Sequence, residues 1–274
     1  MQALIVLATP EPASSNARIA AVADRVLQAA GWSVETRDLY GERFDPVEAP
    51  RHYVTRADQM RFDAQVEQRA AFEANRLPHD VASALRSLTS ADLVIFQYPL
   101  WWFGMPAIMK GWLDRVLVYG GFYTSERRYD RGPMKGKRAL LSLTVGDSRA
   151  AYGHNGLGGD LAALLWPTLF TLRFVGFSLL QPSVAYGVHG GLNAAGANGE
   201  AVEADLRRTE ERLARRLPNA FREPELPFNG WEDFDETGLL TPEAPSYSPF
   251  LRQSADLNGI PGWPGLFSPE SVLK

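Results

Sequence analysis

The chain has 274 residues, 45% of them hydrophobic, and a formal net charge of −4. These values favour one large domain, or one domain with an extension, and they argue against nucleic acid or an anionic membrane as a partner. No apolar run reaches the roughly 18 residues of a membrane span, and cysteine is absent, so cysteine-ligated metal clusters and disulfides are excluded. We expect a cytoplasmic protein with no metal site.

Five apolar runs indicate β-strands, and segments with helical spacing separate them. The runs are ALIVLA (3–8), SVETRDL (33–39), ADLVIF (91–96), RALLSLTV (138–145) and LLQPSVAY (179–186). Alternating strands and helices predict a parallel sheet with helices on both faces. Ligands of such sheets bind beyond the carboxyl ends of the strands, so the loops that follow the strands are the candidate site.

Two segments interrupt or extend this pattern. Residues 41–78 form a polar insertion with a helical patch at about 58–75, and residues 222–274 are rich in proline, glycine and aromatic residues. We therefore predict a domain at 1–221 and an extension at 222–274. Five aromatic residues argue against disorder in the extension and favour an ordered tail over the domain or a partner. They are Phe228, Trp231, Phe234, Tyr247 and Phe250.

The loop after the first strand, 9–18, contains neither of the glycine-rich fingerprints that bind dinucleotides or nucleoside triphosphates. Ser14, Ser15 and Asn16 instead lie where the following helix is predicted to start. Hydroxyls, an amide and free backbone N–H groups at a helix N-terminus suit a phosphate. Simple N-capping explains the same residues equally well.

An aromatic loop follows the third strand. Tyr98, Pro99, Leu100, Trp101, Trp102 and Phe103 separate that strand from a helical pattern, and three of the seven tryptophans of the chain lie between 101 and 112. Each such ring buries roughly 150–250 Å² when it is covered. The loop therefore predicts a partner, which is either another chain or a flat ligand.

The loop after the fourth strand, 144–160, is rich in glycine, and small residues let backbone N–H groups approach a ligand edge. It also carries Tyr152 and His154. Of the four histidines, only His154 lies in a predicted site loop.

Several stretches in order resemble one known family. They are ALIVLA (3–8), ADLVIFQYPLWWFGMPAIMKGWLDRV (91–116), YDRGPMKGKRALLSLTVG (129–146), NGLGGDL (155–161) and GFSLLQPSVAY (176–186). The chain resembles the FAD-dependent NAD(P)H:quinone oxidoreductases of flavodoxin-like fold, the DT-diaphorase group, and is similar to its longer bacterial-type members. The resemblance implies an α/β fold, a doubly wound five-stranded parallel sheet of order 2-1-3-4-5 with a C-terminal extension.

The resemblance also implies an activity. It implies a homodimeric flavoprotein with the active site at the subunit boundary, which transfers a hydride from NAD(P)H through FAD to a quinone in a ping-pong reaction. Three alternatives stay open: FMN as the cofactor, an FMN-dependent azo- or nitroreductase, and a flavin-binding regulatory or electron-carrier subunit of a membrane system.

The resemblance places cofactor contacts on all three loops. These are Ser14 and Asn16 for phosphate and ribose, and Pro99, Leu100, Trp101, Trp102, Phe103, Thr144, Val145, Gly146 and Asp147 for the isoalloxazine ring. Trp102, Phe103 and Tyr123 would line the substrate pocket, and Tyr152 would be the catalytic tyrosine.

The sequence departs from the family pattern at the proton-handling end of the site. The catalytic histidine of the family aligns with Gly158, and we predict that His154, four positions earlier, replaces it; the alternative is that Tyr152 and water suffice. Asp147 puts a carboxylate close to a flavin that becomes anionic on reduction. The other departures are Thr9, Ser15, Trp101, Ser125 and Val145.

Overall fold

The computed structural model describes residues 1–188, 197–247, 251 and 253. The chain forms two compact units, Met1–Leu226 and a second unit that begins at Pro227. The predicted aromatic residue Phe250 and the NGIPGWPG segment (258–265) lie outside the described residues. Among those residues, no helix combines the length and apolar character needed to cross a bilayer.

The first unit contains one parallel sheet with strand order β2-β1-β3-β4-β5, and β6 pairs with β4 as well. The strands are β1 Gln2–Leu7, β2 Ser33–Asp38, β3 Leu93–Pro99, β4 Arg138–Thr144, β5 Ser178–Leu179 and β6 Ser183–Ala185. The predicted fold class and order 2-1-3-4-5 are confirmed. The predicted run 179–186 forms two short strands, because Pro182 between them has no backbone N–H to donate.

The described residues contain six α-helices. They are α1 Ser15–Ala29, α2 Ala64–Glu73, α3 His79–Ser90, α4 Ala107–Val116, α5 Leu161–Phe174 and α6 Ala197–Arg216. The predicted apolar stripes of α1 and α6 face one core cluster, in which Ile19 and Leu27 pack with Leu213 and with Ile5 of β1. The buried residues of α3 lie outside that cluster, and α3 packs with α4. Helices therefore cover both faces, which explains why β1, β3 and β4 are apolar along nearly their whole length.

The insertion between β2 and β3 is an integral part of the first unit. The buried guanidinium of Arg115, on α4, donates to the Asp80 carboxylate at 2.6 Å and to the Asp45 carbonyl at 2.8 Å, and it lies 4.9 Å from the Phe44 ring centroid. Two glycines permit backbone-level contact. A Cβ on Gly111 would collide with Pro46, and a Cβ on Gly121 would collide with the ring of Phe72.

The helical patch predicted at 58–75 is shorter in the structure, because α2 starts at Ala64 behind the N-cap Asp63. A loop precedes it, and a buried carboxylate on α2 holds this loop in place. Glu67 accepts hydrogen bonds from the backbone N–H of Ala57 at 2.7 Å and from Nε of Arg56 at 3.3 Å. The loop therefore depends on the charge of Glu67.

In the second unit, a short helical turn, Trp231–Asp233, is tied down by a buried asparagine. Nδ2 of Asn229 donates to the Asp233 carboxylate at 3.0 Å and to the Pro245 carbonyl at 2.8 Å. Phe234 and Leu240 form an antiparallel bridge. The described part of the extension thus contains local order.

Candidate functional site

The loops that follow β1, β3 and β4 meet at one edge of the sheet, because these three strands are neighbours and run parallel. Side chains join the loops directly. Gln97, near the end of β3, donates to Oδ1 of Asn16 at 2.7 Å, and Nδ2 of Asn16 donates to Oγ1 of Thr144 at 2.9 Å. The backbone N–H of Leu100 donates to the Thr144 carbonyl at 2.8 Å. The structure therefore brings together predicted residues from all three loops.

In the first loop, Ser14 is the N-cap of α1. Its hydroxyl accepts a hydrogen bond from the Ala17 N–H at 3.2 Å and shares another with the Thr9 hydroxyl at 2.9 Å. The Asn16 side chain is buried and bonded within the chain, so its amide already has partners. The N–H groups of Ser15 and Asn16 belong to the first helical turn, where the helix offers them no carbonyl. Anion binding at this loop would therefore depend on backbone N–H groups.

The aromatic loop is a tight turn whose conformation is strained. Trp101 and Gly104 exchange backbone hydrogen bonds at 2.9 and 3.0 Å, and the two residues between them have positive φ, 49° at Trp102 and 63° at Phe103. Hairpin turns with two positive φ angles favour asparagine and glycine, and a bulky residue costs about 1–2 kcal/mol there. The fractional exposure is 96% for Trp102, 54% for Phe103 and 44% for Trp101. Backbone strain is concentrated at functional sites in proteins, so the strained and exposed turn is a candidate functional surface.

A mainly apolar cavity of about 800 Å³ adjoins this turn. Phe103, Tyr123, Phe174 and Thr171 contribute to its walls, together with residues of α2 and α4. The Tyr123 ring packs edge-on against Phe174 with 5.4 Å between the ring centroids. Two of the three predicted substrate residues, Phe103 and Tyr123, therefore lie on one cavity, while Trp102 lies at the exposed tip of the turn.

The glycine-rich loop continues β4 and is fixed to the chain after β6. The Val145 N–H donates to the Ala185 carbonyl at 2.9 Å, and the Gly187 N–H donates to the Asp147 carbonyl at 2.9 Å. The Asp147 carboxylate is exposed and accepts from the Ser148 N–H at 2.7 Å. These bonds hold Gly146 between two anchored neighbours, beside Thr144.

Tyr152 and Gly158 lie in contact. A Cβ added to Gly158 would be 3.1 Å from Cε1 of the Tyr152 ring and 3.1 Å from the Ala151 carbonyl oxygen. Burial and the Asp147 carboxylate raise the pKa of Tyr152 above its ordinary value near 10. His154 is exposed. The position that aligns with the family histidine is thus beside Tyr152, and the tyrosine ring crowds the space that a side chain there would need.

Comparisons with known proteins agree with this architecture. A family model described as flavodoxin-like fold matches residues 1–213. The NAD(P)H dehydrogenase [quinone] 1 of Rattus norvegicus is 43% identical over 190 residues, which are 68% of this chain and 69% of that protein.

The chain belongs to the flavodoxin-like NAD(P)H:quinone oxidoreductase family.

Two further relatives extend the match. The ribosyldihydronicotinamide dehydrogenase [quinone] of Mus musculus is 42% identical over 188 residues, which are 68% of this chain and 81% of that protein. A crystal structure from Klebsiella pneumoniae, provisionally described as a quinone reductase, has a TM-score of 0.79 at 32% identity and covers 89% of this chain and 95% of its own. Structures described as azoreductases are 16–18% identical and share the fold alone.

Proposed function

We propose that this protein is a flavin-dependent NAD(P)H:quinone oxidoreductase with FAD as its cofactor. Family membership confirms the predicted class of enzyme. The observation that carries the flavin assignment is the meeting of three unlike loops at one sheet edge: a helix N-terminus at Ser14, an exposed aromatic turn at 101–104 and a glycine-rich loop at 144–147.

The residues present fit a flavin. The first-turn N–H groups of α1 suit the phosphates, while the exposed rings of Trp102 and Phe103 offer apolar surface to a flat ring system. Ser14, Asn16, Pro99, Leu100, Trp101, Thr144, Val145, Gly146 and Asp147 complete the proposed contacts. Asn16 enters this set with its backbone N–H, because its side-chain amide is bonded inside the chain.

When bound, the flavin supplies hydride transfer from NAD(P)H to a quinone. The part of this chain is to bind, orient and stabilise charge. Hydrogen-bond donors that are already in place where negative charge develops are usually the largest source of such stabilisation. We assign this role to the Tyr152 hydroxyl and the N–H groups of Gly146 and Asp147. A tyrosine hydroxyl is protonated at neutral pH, and the raised pKa of Tyr152 keeps its hydroxyl a donor in mildly alkaline solution as well.

We propose His154 as the second proton-handling residue in place of the family histidine. Its support is its place in the Tyr152 loop and its exposure, which leaves its ring free to turn. In the alternative assignment, Tyr152 and water handle the proton without a histidine.

The proposed acceptor is a quinone or a related flat electrophile, held by Trp102, Phe103 and Tyr123. We also propose a homodimer in which the apolar cavity beside the turn lies at the contact between copies, and a cytoplasmic location. FMN is the second candidate cofactor, because Thr9 and Ser15 replace family residues close to the proposed phosphate site.

Two measurements test the proposal. Mass spectrometry of the cofactor released from the purified protein is expected to show FAD. Steady-state assays with NADH or NADPH and a benzoquinone are expected to show turnover. A bound, reducible flavin without quinone turnover would instead identify a regulatory or carrier protein, and a protein that takes up no flavin would contradict both assignments.

A further inference from the structure

A buried hydrogen-bond relay links the elements that carry the three loops. It runs from Nε2 of Gln97 to Oδ1 of Asn16, and from Nδ2 of Asn16 to Oγ1 of Thr144. All three residues are at most 5% exposed. Buried polar groups that are hydrogen-bonded to one another make the surrounding core rigid, so this chain of three fixes the positions of the groups that it joins.

The chemistry of the groups gives the relay a direction. An amide nitrogen donates and an amide oxygen accepts, whereas a hydroxyl does both. Because Thr144 accepts from Asn16, its own hydrogen is turned away from the relay. Within the described residues, this hydrogen has no hydrogen-bond acceptor.

The position of Thr144 indicates where that hydrogen goes. Its carbonyl accepts from the Leu100 N–H at the base of the aromatic turn, and it is the last residue of β4 before the glycine-rich loop. Thr144 is already one of the flavin contacts proposed above; we propose that Gln97 and Asn16 are positioning residues, which hold the Thr144 hydroxyl so that it donates its hydrogen toward the ring system of the bound flavin. This inference rests on the proposed function.

The relay has a consequence for the midpoint potential of the flavin. Reduction adds electron density to the ring, and a donor bond strengthens as the charge of its acceptor grows. The hydroxyl therefore binds the reduced form more strongly than the oxidised form. Removing it is expected to weaken both complexes and to lower the midpoint potential.

The first experiment measures the dissociation constant and midpoint potential of the flavin in the full-length protein. Thr144→Val is expected to weaken binding of oxidised flavin about five- to tenfold, the size of one net hydrogen bond. A further loss of about threefold for reduced flavin corresponds to a potential lower by about 14 mV. Thr144→Ser restores the hydroxyl and is expected to restore both values.

A matched control comes from the same strand. Ser142 has a buried hydroxyl two residues before Thr144 and outside the relay. Ser142→Ala is expected to leave affinity and potential unchanged. Gln97→Met is expected to weaken binding about threefold alone, less than Thr144→Val because Gln97 acts only through Thr144, and to add nothing in the Thr144→Val background, because residues of one network couple.

The second experiment needs no flavin. Hydrogen exchange of the Asn16 side-chain amide, followed by NMR in the flavin-free protein, is expected to accelerate in Thr144→Val, because one amide hydrogen loses its acceptor. Unchanged exchange would mean that Asn16 does not donate to Thr144 and would overturn the relay.

The outcomes separate the relay from the proposed function. If the wild-type protein binds flavin but Thr144→Val has the same affinity and potential, the relay proposal is overturned and the enzyme assignment stands. If the losses of flavin affinity add in the variant that carries both Gln97→Met and Thr144→Val, Gln97 does not act through Thr144 and is only a structural residue. A wild-type protein that binds no flavin overturns the function itself.

Discussion

At the scale of single residues, the role proposed for Tyr152 depends on the groups around it. The tyrosine has a raised pKa, with burial as the larger cause and the Asp147 carboxylate as the second. Its hydroxyl is therefore neutral until the solution is strongly alkaline. Tyr152 is therefore a hydrogen-bond donor, not an anion, at the pH values of an ordinary assay.

The effect of Asp147 on Tyr152 can be measured directly. Asp147→Asn removes one of the two causes of the shift, so the pKa of Tyr152 is expected to fall toward its ordinary value near 10 without reaching it, because burial persists. Ultraviolet titration of the tyrosinate, with Tyr152→Phe to identify the signal, checks this. An unchanged pKa would show that the carboxylate is screened by solvent.

Tyr152 and His154 are expected to differ in their kinetic effects. Tyr152→Phe is expected to slow flavin reduction by NAD(P)H about 10²-fold, the lower end of what a general acid contributes. His154→Ala is expected to slow at least one half-reaction if His154 replaces the family histidine. Stopped-flow measurements of both half-reactions separate the two, and rates unaffected by His154→Ala would leave the role to Tyr152 and water.

The sequence predicted which loops form the candidate site but not the contacts inside it. The relay joins residues 81 and 128 positions apart, and no local pattern reports such a distance. The same limit explains Asn16. Its place at a helix start predicted a ligand contact, whereas the fold uses its side chain to connect two strands. Gly158 was identified by alignment, but its contact with the Tyr152 ring required coordinates.

At the scale of elements, the aromatic turn combines a proposed role in binding with local backbone strain. Replacing Trp102 and Phe103 with Asn and Gly gives the pair that such a turn favours, so the flavin-free protein is expected to gain about 2 kcal/mol or more in unfolding free energy. Quinone reduction is expected to fall at the same time, because the aromatic surface is lost. Thermal unfolding and steady-state assays measure the two effects.

A conservative variant is the control for these opposite effects on stability and activity. Trp102→Phe keeps an aromatic residue at positive φ and is expected to change stability little. If the Asn-Gly variant is no more stable than the wild type, the turn carries no strain. Sequence rules missed this strain because they predict such turns from asparagine and glycine, and neither residue occupies the central positions here.

The insertion loop before α2 is expected to depend on pH through Glu67. Burial works to raise the pKa of Glu67, but the N–H groups of Ala57 and Asp58 and the Arg56 guanidinium outweigh it, so the pKa lies below its ordinary value of 4.5. A lowered pKa stabilises the fold above the ordinary value, and this contribution is lost as the pH falls through the folded value.

Glu67→Gln is therefore expected to lower the unfolding free energy by about 2–3 kcal/mol at neutral pH, because bonds to a charged acceptor are lost. The difference from the wild type should shrink below about pH 4.5. Denaturant unfolding at several pH values measures it. Glu73→Gln on the same helix is the control, since Glu73 pairs with Arg69 at an exposed position. A constant difference at all pH values would contradict the charge argument.

Apolar runs were sufficient to predict β1, β3 and β4, because strands covered on both faces are apolar throughout. They were not sufficient at the sheet edge. There, Pro182 divides one predicted strand into β5 and β6, and only the pairing with β4 shows where each piece begins. The start of α2 was also not predicted from periodicity, because the N-cap Asp63 determines it.

At the scale of the whole molecule, the proposed dimer rests on the family resemblance and can be tested at one cavity. The cavity beside the turn has apolar walls that include Phe174 and Thr171. Thr171→Arg puts a long, charged side chain on that wall, so it is expected to yield monomers and to reduce quinone turnover at least tenfold. Sedimentation velocity and steady-state assays test both.

Gln28→Arg is the control for the added charge, since Gln28 is exposed on α1, remote from the cavity. It is expected to leave both mass and turnover unchanged. A Thr171→Arg protein that stays dimeric would place the contact elsewhere, and a wild-type protein that sediments as a monomer would contradict the dimer altogether.

The two close approaches at Gly111 and Gly121 limit how this protein can diverge or be recombined. The insertion approaches the framework closely at both glycines, with Pro46 against Gly111 and the ring of Phe72 against Gly121. A chimera that moves the insertion into a related enzyme must carry both glycines with it, although they lie outside the moved segment. We therefore expect substitutions at Gly111 and Gly121 to occur together with changes in the insertion, at the positions of Pro46 and Phe72.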